Sequence, residues 1–99
     1  MIRITFENII VNPSGTMGQR YLNATIGLEV VDEASKEAIE SGKPRIKDAL
    51  ITLLSARSID ELTDATNRES MREAIAAKVN KQIAPGEVVA VYFLDFVLQ

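Results

Sequence analysis

Carboxylates are the only side chains in this sequence spaced closely enough to suggest proton transfer or cation binding. Asp60, Glu61 and Asp64 fall close together, and Asp95 stands alone among Val91, Phe93 and Val97 near the C-terminus. Paired carboxylates can act as general acid and base, and oxygen ligands alone can hold Ca²⁺ or Mg²⁺. The rest of the chain does little to support either use. It contains no His and no Cys, the groups that most readily exchange protons or act as nucleophiles near neutral pH. No loop has the alternating acidic spacing of an EF-hand. Asp60, Glu61 and Asp64 follow hydroxyl residues where a helix N-terminus attracts negative charge, so capping explains them on local grounds. The sequence therefore gives no catalytic residue, no metal ligand and no cofactor. A small-ligand- or metal-binding domain, or a carboxylate enzyme built on Asp60, Glu61, Asp64 or Asp95, is the competing reading.

The glycines of SGTMGQR, residues 14–20, raise the question of a phosphate cradle. Such a loop works by opening a helix whose N-terminal dipole faces the anion. Here it joins two segments of strand character, which predicts a hairpin loop instead.

Composition narrows the classes further. The chain has 99 residues, of which 46% are hydrophobic and 25% charged, with a formal net charge of −3. That length supports one core, and the composition is that of a folded domain. The acidic balance and the lack of any basic run argue against nucleic acid, which is bound through clustered Lys and Arg. No apolar run approaches the length of a membrane span, and no signal peptide is recognisable. A role outside the cytoplasm would need an upstream segment not present in these 99 residues. Without cysteines, the redox compartment stays open.

The elements that must position these residues follow from periodicity. Ile4, Phe6 and Ile10 recur at even positions before Asn12 and Pro13, predicting a first strand that runs into a turn. From Arg20 to Val31 alternation is clean: Leu22, Ala24, Ile26, Leu28 and Val30 against Tyr21, Asn23, Thr25, Gly27 and Glu29. This predicts a half-buried strand with one wet face. Asp32 can cap a short helix through Ser41, stopped by Gly42, and Pro44 is placed to begin the next. There Ile46, Ala49, Leu50, Leu53 and Leu54 form one apolar stripe. Ser58 with Glu61, and Thr66 with Glu69, both read as capping boxes, implying a break near Asp64. A long helix then carries Met71, Ile75, Val79 and Ile83 at steps of four until Pro85 and Gly86 end it. That stripe fits the core face of a surface helix better than a partner-binding surface. The predicted architecture is one α+β domain over residues 1–99, a small, mainly antiparallel three-stranded sheet with helices on one face.

The closing strand, VVAVYFLDFVLQ, is apolar on both of its rows. Val88, Ala90, Tyr92, Leu94, Phe96 and Leu98 form one; Val89, Val91, Phe93, Asp95 and Val97 form the other. Two explanations stand side by side. It is either a central strand shielded on its outer face, or a protein interface, since apolar patches on soluble domains mark association sites. Tyr92, Phe93, Asp95 and Phe96 are the candidate interaction residues.

Four stretches together, RYLNATIGLEVVD, PRIKDALITLLSARSIDEL, REAIAAKVN and VYFLDFVLQ, resemble the periplasmic domain of the flagellar basal-body-associated FliL family, in the family's order. The resemblance rests on Arg20, Tyr21 and Leu22; on Leu53, Leu54 and Ser55; on Asn80; and on Val91, Tyr92 and Phe93 with Asp95 and Phe96. Leu94 departs from the family's usual Thr at that place and makes its row more apolar. The resemblance implies a domain similar to the stomatin and prohibitin (SPFH) fold, at the periplasmic face of the bacterial inner membrane at the flagellar basal body. It also implies an N-terminal membrane helix as tether, absent from these 99 residues, so that the sequence is expected to be a truncated soluble domain, the alternative being a shorter relative without a tether. The implied partners are further copies of itself, as a ring-like homo-oligomer, and the flagellar stator proteins MotA and MotB, with a part in torque and motility. Neither nucleic acid nor an enzymatic role is implied.

Overall fold

Residues 2–99 are described by a computed structural model. Three antiparallel strands, β1 (Ile2–Val11), β2 (Leu22–Val30) and β3 (Val88–Leu98), form one sheet in the order β1-β2-β3. Between β2 and β3 the chain makes α1 (Glu33–Ser41), α2 (Lys43–Ser55), the short α3 (Ile59–Thr63), a 3₁₀ turn (Ala65–Asn67) and α4 (Arg68–Ile83). This is the α+β architecture that the pattern predicts.

The central strand is β2. Its even row, Leu22, Ala24, Ile26, Leu28 and Val30, is fully buried beneath the helices. The helices meet it with Ile39 of α1, with Ile46, Leu50 and Leu54 of α2, and with Met71, Ile75, Val79 and Ile83 of α4. The i, i+4 stripe of α4 is therefore core, as its spacing implies. The odd row of β2 is drier than a wet face should be, because Thr25 and Glu29 are also buried. A central strand has neighbours on both sides, and their side chains roof it. Gly27 leaves room for this: a Cβ there would stand 3.4 Å from both Arg3 Cδ and Leu94 Cδ1.

The closing strand is not central. β3 lies at one edge of the sheet and β1 at the other. Nor does either row of β3 face the helices throughout, because two bulges switch the rows. Thr25 pairs with Asp95 while Ile26 pairs with Phe93, so Leu94 is an extra residue; Glu29 pairs with Ala90 while Val30 pairs with Val88, so Val89 is another. Each extra residue reverses the side-chain alternation. The helix side of β3 therefore runs Val88, Val91, Phe93, Phe96 and Leu98.

The same device corrects the first strand. Phe6 pairs with Ile26 and Ile9 with Ala24, three positions on β1 against two on β2. Asn8, at φ +53°, sits in this bulge, in the left-handed region that Asn tolerates better than most residues. Beyond it Ile9 and Val11 turn inward, and Ile10, expected inside, is 56% exposed.

Local capping follows the sequence with one exception. Asp32 caps α1 by accepting from the Ser35 amide at 2.8 Å, and Pro44 lies in the first turn of α2. Ser58 and Glu61 form the reciprocal box on α3. The Thr66–Glu69 box does not form. Asp64 takes Thr66 instead, accepting from its amide at 2.9 Å and its hydroxyl at 2.7 Å, and α4 continues from the 3₁₀ turn without a side-chain cap. An Asp two residues upstream closes a tight Asx turn before the hydroxyl can serve the next helix.

Candidate functional site

The bulges of β3 divide the four candidate interaction residues between two surfaces. Tyr92 and Asp95 lie on the face away from the helices; Phe93 and Phe96 lie on the helix side, half-buried near the start of α4.

On the open face, cross-strand pairing aligns Ile10, Asn23 and Val97 in one row and places Tyr92 opposite Gly27. Leu94 bulges over Gly27 beside Tyr92. Ile10, Tyr92, Leu94 and Val97 are 56, 40, 47 and 46% exposed, an apolar stripe that no helix covers. Its polar components are paired internally. The Tyr92 hydroxyl donates to Glu29 Oε1 at 2.8 Å, and the Arg3 guanidinium lies 5.6 Å from the centre of the Tyr92 ring. The hydrogen bond to Glu29, and then the carboxylate's charge, raise the Tyr92 phenol above its ordinary value. Thr25, opposite Asp95, accepts from the Asn8 amide at 3.3 Å. Asp95 is exposed, so the lone carboxylate of the closing strand is placed where water solvates it.

On the helix side, Phe93 and Phe96 meet edge to face with ring centres 5.2 Å apart. Two arginines one turn apart on α4 cover them: Arg68 lies 4.0 Å from the centre of Phe96, and Arg72 lies 5.4 Å from that of Phe93. The aromatics stand out in the sequence and the arginines do not, because α4 and β3 are brought together only by the tertiary fold.

The remaining resemblance positions are spread through the scaffold. Tyr21 pairs with Gln99 through both backbone groups, and its hydroxyl donates to Gln99 Oε1 at 2.8 Å. Arg20 holds the same corner, its carbonyl accepting from Asn12 Nδ2 at 2.9 Å. Leu53, Leu54 and Ser55 end α2, with Leu54 fully buried. Asn80 Oδ1 accepts from the Val88 amide at 2.7 Å and so fixes the turn from α4 into β3, while Val91 is core. Of these residues Tyr21 and Asn80 hold the two ends of β3, and the set does not converge on a pocket.

The carboxylates do not converge either. Glu61 belongs to the α3 cap and lies 3.9 Å from Arg57. Asp64 caps the 3₁₀ turn, and its bonds to Thr66 hold its carboxyl below the ordinary range. Among the described residues, no three acidic side chains gather where they could hold a metal ion. A cleft of about 630 Å³ lies at the β1 edge between Phe6, Lys43, Pro44 and Lys47, and none of the candidate carboxylates or interaction residues lines it.

Comparison with known proteins agrees with the sequence resemblance. Residues 4–99 match the family model described as flagellar basal body-associated protein FliL. The chain is 29% identical over 90 residues to a flagellar protein FliL of Aquifex aeolicus, a match covering 91% of the chain and 56% of that protein. It is 31% identical over 78 residues to a flagellar protein FliL of Bacillus subtilis, covering 79% of the chain and 56% of that protein. The chain thus spans about half the length of the curated relatives it matches.

Proposed function

The chain belongs to the flagellar basal body-associated FliL family, and from that premise we propose that it is a non-enzymatic accessory domain of the flagellar motor. It associates with copies of itself and supports the stator proteins MotA and MotB, assisting torque and motility. In this reading the domain works at the periplasmic face of the inner membrane, tethered by an N-terminal membrane helix of the full protein. Among the described residues no helix is long and apolar enough to cross a membrane.

The observation that carries the reading is the uncovered sheet face. Ile10, Tyr92, Leu94 and Val97 stand in solvent on the side opposite the core, and exposed apolar patches of this kind mark protein contacts. The open face is formed from all three strands, so it is rigid before any partner arrives, which lowers the entropy lost on binding.

The test is Leu94→Glu combined with Val97→Glu. The expected result is an unchanged far-UV spectrum, lower self-association in sedimentation, weaker recovery of the stator proteins from motile cells and reduced swimming under load. Normal association, stator recovery and swimming in a folded double variant would overturn the reading. The ligand- or metal-binding alternative has its own check in thermal melts with Ca²⁺, which raises the midpoint of any protein that binds it in the native state.

A further inference from the structure

We propose that the free edge of β3 accepts an extended peptide segment as a fourth strand, and that a carboxylate of this segment is held by Arg68. The inference goes beyond the proposed motor role and does not require it. It concerns the edge of the sheet, whereas self-association was placed on the open face.

Three observations support it. First, β3 is an 11-residue edge strand whose only charged residue is Asp95. An edge strand leaves half of its backbone donors and acceptors without a ladder partner, and natural edges are usually blunted by Lys, Pro or inward charge. β3 carries bulges at Val89 and Leu94 instead. Bulges limit uncontrolled pairing, yet they leave Ala90–Phe93 between them in regular register with β2.

Second, a groove of about 290 Å³ runs beside this segment, lined by Val89, Ala90 and Val91 of β3 and by Arg72 and Ala76 of α4. Peptides that add to a sheet edge gain affinity from main-chain bonds and specificity from pockets taking alternate side chains. This groove fits one apolar side chain of the incoming strand.

Third, the charges give the occupant a polarity. Arg72 is paired with Glu69 at 3.4 Å, whereas among the described residues Arg68 has no carboxylate within ion-pair distance and its buried Nε has no hydrogen-bond partner. Its guanidinium carbon lies 4.0 Å from the centre of the Phe96 ring, and a guanidinium is a planar group whose donors match a carboxylate. A guanidinium braced by two aromatic rings beside an apolar groove has the composition of an interface hot spot. Glu69 and Glu73 line the groove itself, so a second carboxylate would be repelled there. The occupant is therefore an extended segment with an apolar residue at the Val89–Val91 end and an acidic residue at the Phe93–Phe96 end.

The experiment titrates ¹⁵N-labelled protein with the peptide Ac-VTVTVD-NH₂ and with its Asp→Asn analogue. The expected result is shifts confined to the Ala90–Phe93 amides and to Arg68 Nε–H, and slowed exchange of the outward amides of that segment. Binding should be about tenfold weaker, near 1.4 kcal/mol, for the Asn analogue and for Arg68→Gln. Arg68→Lys, which keeps charge but loses the planar fork, should fall between, and matching thermal melts show that these variants fold. The proposal is overturned by an absence of shifts at millimolar peptide, by shifts on the open-face residues Ile10, Leu94 and Val97 instead, or by equal binding of both peptides. Self-association through the open face would appear separately, as shifts that depend on protein concentration before peptide is added.

Discussion

The Tyr92 hydroxyl closes on Glu29 Oε1 at 2.8 Å, tying the edge strand to a buried carboxylate of the central strand across the open face of the sheet. Glu29 is 8% exposed, and a desolvated carboxylate costs stability unless it is hydrogen-bonded. The bond therefore does more than decorate the surface: it allows an acidic residue to sit in the middle of the sheet.

Tyr92→Phe removes this donor while keeping the ring beneath Arg3. The variant should unfold at lower temperature, and the effect should depend on pH. The phenol's value in the folded protein is raised above an unfolded value of about 10. The bond's contribution is then complete below about pH 10 and disappears as pH rises through the folded value. Thermal melts of wild type and variant should differ at pH 7 and converge in strong alkali; a constant gap across that range would refute the assignment.

A second network joins α1 to the start of β3. The fully buried Ser35 hydroxyl donates to Asp32 at 2.7 Å and accepts from the Glu87 amide at 3.0 Å. Ser35→Ala leaves that amide without its partner, at a cost of about 1–3 kcal/mol. Gly86→Ala should act on the same bond, since a Cβ there would stand 2.8 Å from Ser35 Oγ and 3.0 Å from the Ile83 carbonyl. Because the two changes damage one contact, urea denaturation of the double variant should show less than the sum of the single losses.

Asp32 and Asp64 give the acid side of the stability profile. Hydrogen bonds from the Ser35 and Thr66 hydroxyls, and then from the amides of the same residues, hold both carboxyls below the ordinary range. Depressed carboxyls contribute above their unfolded value of about 4, and the contribution is lost as pH falls through the folded value. Asp32→Asn and Asp64→Asn should therefore flatten the acid limb of a melting curve series and change little in alkali.

Much of the layer structure is legible in the sequence, because helix stripes and the β2 alternation are local properties with fixed periods. Met71, Ile75, Val79 and Ile83 needed only their spacing to be identified as core. The strand edges are less legible. Whether Ile10 points in or out depends on one extra residue near Asn8, and the faces of β3 depend on two extra residues at Val89 and Leu94; each is decided by pairing with a distant strand. The split of Tyr92 and Asp95 from Phe93 and Phe96 follows from the Leu94 bulge and could not be read from a count of alternate positions. Arg68 and Arg72 show no sign of their rings in the local sequence, since the partners lie on β3, across the turn that Asn80 holds.

The bulge itself can be tested with two residues of one row. Val91 and Val97 are six positions apart, and in a regular strand both would share a face and respond alike. Here Val91 is buried against the helices while Val97 is 46% exposed on the opposite face, because the extra residue Leu94 reverses the alternation between them. Threonine matches valine in shape and β-branching, so the substitution isolates the added hydroxyl. Val91→Thr buries that hydroxyl among apolar groups and should cost about 1–3 kcal/mol. Val97→Thr leaves it in water and should stay within about 0.5 kcal/mol of wild type. Equal losses in chemical denaturation would mean that β3 is regular through Leu94, and the separation of Asp95 from Phe93 and Phe96 would fall with it.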